Sequence, residues 1–437
     1  MFNVLTSRKL FLLIGDLFLL YFSFFITLLM GYLKQFNIEI LRTHLLPFSI
    51  VYLFWILILY IFGLYDIHLI KTKLSFSNRL LGASFCCLIV GLLFFYIFPV
   101  FGISPKTNLL FNTLIFSIVF WGWRNLFSVL FSNHFMDRIA ILGEGEEIEK
   151  LKNTILSIPY LGYKFIPIDI EGDLFEQIKK NKINTIIFSK EYEFDSRLLK
   201  LLYFYSAEEI SFLTITDAYE LIYEKIPVSI ISQAWFLNNI KGREKNFYDN
   251  IKRFLDILLS ILLLIITLPI SILISILIKT EDKGPIIYFQ TRIGKDKEPF
   301  TLYKFRSMQV EAEKERAVWA KEKDNRITKI GKIIRRLHLD ELPQMINIIK
   351  GDIAFIGPRP ERPVFVEKLE KDIPYYSLRH IIKPGFTGWA QIKFRYGRSI
   401  MDSKEKFEYD LYYLKNRNPL IDIEVLLKTF QLLFQKS

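Results

Sequence analysis

Asp340 and Glu341 are adjacent in the run Leu339-Asp340-Glu341-Leu342-Pro343-Gln344. Pro343 suits the first turn of a helix and Gly351 the position just past its end. The two carboxylates then stand at a helix N-terminus, where the dipole and the free N–H groups favour anions. They could do no more than cap that helix. The chemical alternative is that one carboxylate attacks a phosphorus centre, forming an acyl phosphate that divides one hard displacement into two. The other would hold a divalent cation. Mg²⁺ keeps most of its waters and needs only one or two protein carboxylates beside substrate phosphates, so the expected cofactor is Mg²⁺ or Mn²⁺.

Three groups of cations could serve the same phosphates. In Tyr303-Lys304-Phe305-Arg306, strand alternation puts Lys304 and Arg306 on one face and Tyr303 and Phe305 on the other. Arg335 and Arg336 lie just upstream of the carboxylates. In Gly357-Pro358-Arg359-Pro360, two prolines fix the backbone around Arg359, and a rigidly held guanidinium suits bidentate phosphate recognition. Lys304, Arg306, Arg335, Arg336 and Arg359 are therefore the candidate substrate-binding residues. Each group alone could be an ordinary solvated charge or a loop.

The elements that must position these residues begin in a membrane. The 437 residues are 51% hydrophobic and 16% aromatic, with mean hydropathy +0.28, more apolar than a soluble chain of this length. The net charge of +12 suits an acidic membrane surface or phosphorylated substrates. The hydropathy favours lipid over nucleic acid, and no nucleic-acid partner is expected. Cys86 and Cys87 are adjacent and cannot frame a disulfide or a metal site. Apolar stretches at 10–33, 45–64, 80–103 and 109–132 are each long enough to span a bilayer. Arg8, Lys9, Lys71, Lys73, Arg79 and Arg138 bias both ends of the resulting four-helix bundle toward the cytoplasm. Asp16 and Arg124 are charges within these helices. Such charges are functional candidates by default, but both lie near helix ends, where they can snorkel or pair with a neighbour.

Residues 136–243 read as a soluble α/β domain. Candidate strands at 138–142, 164–168, 185–188 and 210–215 alternate with helices at 147–157, 174–181 and 196–207, the pattern of a parallel sheet with crossover helices. Gly143-Glu144-Gly145 follows the first strand, but Ile148 stands where a dinucleotide turn needs its third glycine. The expectation is a Rossmann-like domain without a nucleotide.

Residues 251–278 are again strongly apolar, interrupted by Pro269, which removes a helix hydrogen bond and clashes with the preceding turn. Neither half alone crosses a hydrocarbon core of about 30 Å. Lys252 and Arg253 flank one end and Lys279 the other, which fits a segment that enters and leaves on one face. A re-entrant helix hairpin broken at Pro269 is expected, opening a catalytic domain over 244–437. The bundle occupies 1–135.

Taken together, RSM, LDELPQ, KGD, GPRP and Pro384-Gly385-Phe386-Thr387-Gly388-Trp389-Ala390-Gln391 resemble the bacterial sugar transferases, the monotopic polyprenyl-phosphate phosphoglycosyl transferases. The resemblance includes Tyr409-Asp410, Asp422 and the Pro-broken hairpin. The layout of four membrane helices, a degenerate Rossmann-like domain and a catalytic domain is similar to the family's large members, as is Phe62-Gly63-Leu64-Tyr65-Asp66. The resemblance implies that Asp340 attacks the β-phosphate of a UDP-sugar, UMP leaves, and undecaprenyl phosphate takes the phosphosugar. It implies that Glu341 holds Mg²⁺ and that Arg359 binds phosphate or nucleotide. A UDP-sugar donor places the catalytic domain on the cytoplasmic face of the bacterial inner membrane, against lipid. His338, and Ala354-Phe355 in place of Ser-Leu, depart from the usual pattern and bear on substrate preference. A homodimer is compatible with the sequence. The rivals are a membrane-bound sugar-nucleotide dehydratase, whose only Tyr-x-x-x-Lys spacing near the right place is Tyr248 and Lys252, beside the apolar run and without a Gly-rich turn, and a non-catalytic polysaccharide-assembly scaffold.

Overall fold

The computed structural model describes residues 4–32, 36–65, 73–101, 106–133, 137–157, 163–169, 172–192, 196, 200, 203–204, 210–240, 246–309, 326–394 and 399–434. Asp66 and most of the helix expected at 196–207 lie outside these residues. The chain packs as two compact units, Met1–Leu221 and Ile222–Ser437.

Four long helices open the first unit: α1 (Val4–Tyr32), α2 (Ile38–Ile61), α3 (Lys73–Ile97) and α4 (Lys106–Asn133). Each is long and apolar enough to cross a membrane. α2 starts earlier than the hydropathy indicates because the Asn37 side chain accepts from the Ile40 amide at 2.8 Å and caps it, which leaves Pro47 inside the helix. α1 packs on α4, α4 on α3 and α3 on α2. Phe24, Phe48, Tyr52, Trp55 and Phe120 fill the core, while Phe18, Leu53, Leu81 and Ile118 stay exposed. Lipid is as apolar as the core, so interhelical hydrogen bonds contribute specificity. Tyr52 donates to Asn112 Oδ1 at 3.1 Å, Asn112 to Ser23 Oγ at 3.2 Å, and Trp55 Nε1 to the Cys87 carbonyl at 2.9 Å. Asp16 and Arg124 pair across α1 and α4 at 2.8 Å, with side chains 0% and 5% exposed. The Arg124 guanidinium also lies over the Phe120 and Tyr65 rings. These two intramembrane charges therefore serve each other.

The rest of this unit is a parallel sheet. β1 (Asp137–Leu142), α5 (Glu146–Ser157), β2 (Tyr163–Phe165), α6 (Leu174–Asn181), β3 (Thr185–Phe188), β4 (Ser211–Thr214) and α7 (Ile215–Tyr223) follow in turn. The strand order is β2-β1-β3-β4, all parallel. Gly143 and Gly145 both adopt positive φ after β1. Ile148 is 2% exposed and packs beneath that turn, its Cδ1 lying 2.8 Å from where a Gly143 Cβ would be.

The second unit contains α8 (Gln233–Asn239), α9 (Asn246–Asp282), β5 (Ile287–Ile293), β6 (Pro299–Phe305), α10 (Lys329–Arg336), α11 (Gln344–Lys350), β7 (Ala354–Ile356), α12 (Pro363–Asp372), β8 (Gly385–Thr387), α13 (Trp389–Lys393), α14 (Ile400–Asn416) and α15 (Pro419–Phe434). β5 and β6 form an antiparallel hairpin and β7 pairs with β8 in parallel. The unit begins before the boundary expected at 243/244.

α9 differs in form from the expected broken hairpin: it is one helix that runs through Pro269. Its two halves still pack on the same domain. Leu259, Leu263 and Leu264 meet the core around Trp389 and Tyr413, and Ile274 and Ile278 meet Phe305 and Ile334. A straight helix would hold Arg253 and Asp282 about 44 Å apart at ~1.5 Å per residue. Yet Arg253 donates to the Ile348 and Ile349 carbonyls, Asn347 bonds to Tyr303, and Arg306, just beyond, pairs with Asp282. A straight rod would fit that short chain of contacts only if every link pointed the same way. Both ends of α9 are thus fastened to the same domain, with Pro269 between the two attachments.

Candidate active site

Asp340 and Glu341 lie in a 3₁₀ turn, Leu339–Glu341, between α10 and α11. His338 enters it in the left-handed conformation, φ 55. Pro343 precedes α11 and Gly351 ends it, so the pair sits one turn ahead of the helix rather than in its first turn. Both residues are buried, 7% and 8% exposed.

Two cations expected from sequence converge here. Lys304 Nζ donates to Glu341 Oε1 at 2.7 Å and Arg359 Nη2 to the same oxygen at 2.8 Å. The neighbouring carboxylates consequently have opposite electrostatics. Burial opposes ionisation of Glu341, but Arg359 and Lys304 hold its carboxyl far below the ordinary value. Burial pushes the Asp340 carboxyl up; Lys304 resists this and the charge on Glu341 adds to it. One carboxylate is thus a fixed anion and its neighbour a strained, more basic one, a separation that divides chemical roles between paired groups.

The other three expected cations are placed elsewhere. Arg306 lies just beyond the end of β6, is 6% exposed and pairs with Asp282 at the end of α9. Arg335 donates through Nε to Ser307 Oγ at 2.7 Å, yet remains close enough to lower the Asp340 carboxyl. Arg336 is exposed on the outer side of α10.

The loop that presents Arg359 is held by residues the sequence reading did not single out. Arg379 donates to the Arg359 carbonyl at 2.9 Å and pairs with buried Asp410 at 3.0 Å. Arg292 donates to the Pro360 carbonyl at 2.9 Å. Gly385 N donates to the Pro358 carbonyl at 2.8 Å and Gly357 N to the Thr387 carbonyl at 2.9 Å. A Cβ on Gly388 would lie 2.1 Å from the Gly357 oxygen, so glycine is required where these strands touch. Tyr248 and Lys252 both bond Asp422, at 2.6 and 2.8 Å. That occupies the Tyr-x-x-x-Lys pair nearest the place where a dehydratase would need one.

A divalent cation needs open carboxylate oxygen beside substrate phosphates. Among the described residues no cluster of three or more His, Cys, Asp and Glu forms a metal site. The Asp340–Glu341 pair meets the smaller requirement of one or two carboxylates, although one Glu341 oxygen already carries two cations.

The profile of the bacterial sugar transferases matches residues 247–436, and the chain belongs to this family. Three relatives indicate the kind of member it resembles. A UDP-N-acetylgalactosamine-undecaprenyl-phosphate N-acetylgalactosaminephosphotransferase of Aeromonas hydrophila is 41% identical over 184 residues, 42% of this chain and 44% of its own. A Bacillus subtilis protein provisionally named an undecaprenyl-phosphate N-acetylgalactosaminyl 1-phosphate transferase is 53% identical over 132 residues, 30% of this chain and 74% of its own. The UDP-glucose:undecaprenyl-phosphate glucose-1-phosphate transferase of Escherichia coli is 30% identical over 313 residues, 67% of this chain and 66% of its own. The chain thus spans less than half of the Aeromonas relative, and the third alignment extends beyond the family region.

Proposed function

We propose that this chain is an undecaprenyl-phosphate sugar phosphotransferase of the bacterial cytoplasmic membrane, acting on a UDP-sugar at the cytoplasmic face. The observation that carries the reading is the buried Asp340–Glu341 pair with Lys304 and Arg359 converging on Glu341, inside the region matched by the family. The Asp340 carboxylate attacks the β-phosphorus of the donor. A new P–O bond forms to Asp340 as the bond to the bridging oxygen breaks, and UMP departs with that oxygen. An oxygen of undecaprenyl phosphate then attacks the same phosphorus and frees Asp340, giving the undecaprenyl diphosphosugar. Lys304 and Arg359 stand where they can exchange Glu341 for the donor's phosphate oxygens, Arg359 with the bidentate geometry of a guanidinium. Mg²⁺, or Mn²⁺, held by Glu341 and the donor phosphates, would neutralise charge on the diphosphate. The three-part organisation of bundle, Rossmann-like domain and catalytic domain, and a homodimer, belong to the same proposal.

The test is release of UMP by the purified full chain in nanodiscs with undecaprenyl phosphate, across a panel of UDP-sugars. Turnover of at least one donor, dependent on undecaprenyl phosphate, is expected. No UMP from any donor would overturn the reading.

A further inference from the structure

Residues 222–240 precede the matched family region, yet they pack inside the second unit. Ile226, Val228 and Ile231 are 0%, 4% and 8% exposed and join Phe407, Leu411 and Tyr376 in one core cluster. Backbone bonds tie the segment to α14, because the Ile226 amide donates to the Glu408 carbonyl at 3.0 Å. The Val228 amide donates to Glu408 Oε1 at 3.2 Å. Lys225 pairs with Glu405 and Glu408 at 3.0 and 3.3 Å.

The segment also grips the Gly388-Trp389-Ala390-Gln391 turn from outside. Trp389 Nε1 donates to the Glu224 carbonyl at 3.0 Å, and the Glu224 carboxylate pairs with Lys393. Lys393 lies over the Trp389 ring at 4.7 Å, and Trp389 is 2% exposed. One residue before Trp389, Gly388 touches the Gly357 carbonyl, and Thr387 accepts from the Gly357 amide. Arg359 is two residues further along. A short line of bonded contacts therefore leads from Glu224 through Trp389 and Gly357 to the guanidinium on Glu341.

We infer that residues 222–240 are an N-terminal strap of the catalytic domain, and that Glu224, Trp389 and Lys393 are positioning residues for the loop that presents Arg359. The inference rests on the proposed function only where it concerns turnover. In structural terms, the catalytic domain begins at the end of α7, so a chain cut near residue 245 loses part of its core.

The experiment uses the full chain in nanodiscs, with Glu224→Ala and Trp389→Phe each made in the native and the Arg359→Lys backgrounds. Amide exchange should accelerate at least tenfold at residues 354–360 in both strap variants and stay unchanged in α11. In the native background both variants should raise the donor KM several-fold more than they lower kcat. That effect should shrink in Arg359→Lys, because effects transmitted through one residue are not additive. Unchanged exchange at 354–360, or equal kinetic effects in both backgrounds, would overturn the strap. If the native chain releases no UMP, the functional reading fails, while the exchange data still decide the strap.

Discussion

Neutralising either of two adjacent carboxylates should move stability in opposite directions. Glu341→Gln removes the charge that Lys304 and Arg359 share. Breaking a buried pair by removing one partner costs about 3–5 kcal/mol. Arg359 is 45% exposed and regains solvation, so the low end of about 3 kcal/mol applies. At about 2–4 °C per kcal/mol for a unit of this size, the melting temperature should fall by roughly 6–12 °C. Asp340→Asn should raise it instead, because burial makes the charged form of Asp340 a cost to the fold. The pH dependence separates the two. The folded Glu341 carboxyl lies below its ordinary 4.5, so its stabilisation is complete above that value and is lost as pH falls below it. The folded Asp340 carboxyl lies above its ordinary 3.8. The unfolded chain releases that proton first, and stability erodes as pH rises from there. Thermal melts of the full chain and both variants between pH 4 and 8 are the assay. The Asp340→Asn gain should shrink toward low pH while the Glu341→Gln loss persists down to about 4.5. Melting shifts of the same sign in both variants would refute the electrostatic division of the pair.

Four further outcomes follow from the same geometry. Asp340→Ala should lower UMP release by about 10⁴-fold or more while the protein stays folded and membrane-bound; residual turnover near native levels removes Asp340 as nucleophile. EDTA should stop UMP release and added Mg²⁺ restore it, and full activity in EDTA would dismiss the metal. Arg306→Ala and Asp282→Asn should each lower the melting temperature without changing the donor KM, since their ion pair ties α9 to β6; a raised KM in Arg306→Ala would return that residue to the substrate. Cysteines at positions 251 and 280, in a Cys86→Ser/Cys87→Ser background, should both resist an impermeant thiol reagent in intact spheroplasts and both react after lysis. Labelling of position 280 before lysis would mean that α9 crosses the membrane.

The membrane helices were legible because a long apolar run is a strong one-dimensional signal. The parallel sheet was legible because short β-branched runs alternated with helical ones. α2 began early because hydropathy does not register a cap such as Asn37. The helix hydrogen bonding through Pro269 was not legible either, since the same proline serves a break or a bend. At the site, residue types indicated which cations were available but not which would meet. Lys304 and Arg359 reach Glu341 from 37 and 18 residues away, distances at which no periodicity operates. Strand alternation placed Arg306 beside Lys304, but β6 ends at Phe305, and past that point the chain delivers Arg306 to Asp282. Arg379 and Arg292 escaped notice because they hold backbone carbonyls, and no residue type marks a carbonyl as a target.

The proposed reaction joins a water-soluble donor to a phosphate fixed in a membrane, so the height of Asp340 above the lipid matters as much as its chemistry. The structure ties that height to both ends of α9. At the N-terminal end, Asp422 accepts from Tyr248, Lys252 and Tyr413 at 2.6, 2.8 and 2.7 Å, and Tyr413 sits in the core around β7. At the C-terminal end, Asp282 holds Arg306, and Glu281 accepts from the Lys329 amide at 2.7 Å, at the start of α10. α10 then runs directly into the turn that carries Asp340 and Glu341. Through Glu281, α10 alone leads from the end of the apolar helix to the carboxylate pair, and that link is fixed by a capping contact rather than by apolar packing alone. Apolar contacts slide at little cost, whereas an ion pair or a capped amide specifies one register. The exposed apolar face of α9 is the surface this domain offers to lipid, and these polar locks tie that surface to Asp340, the nucleophile of the proposed reaction.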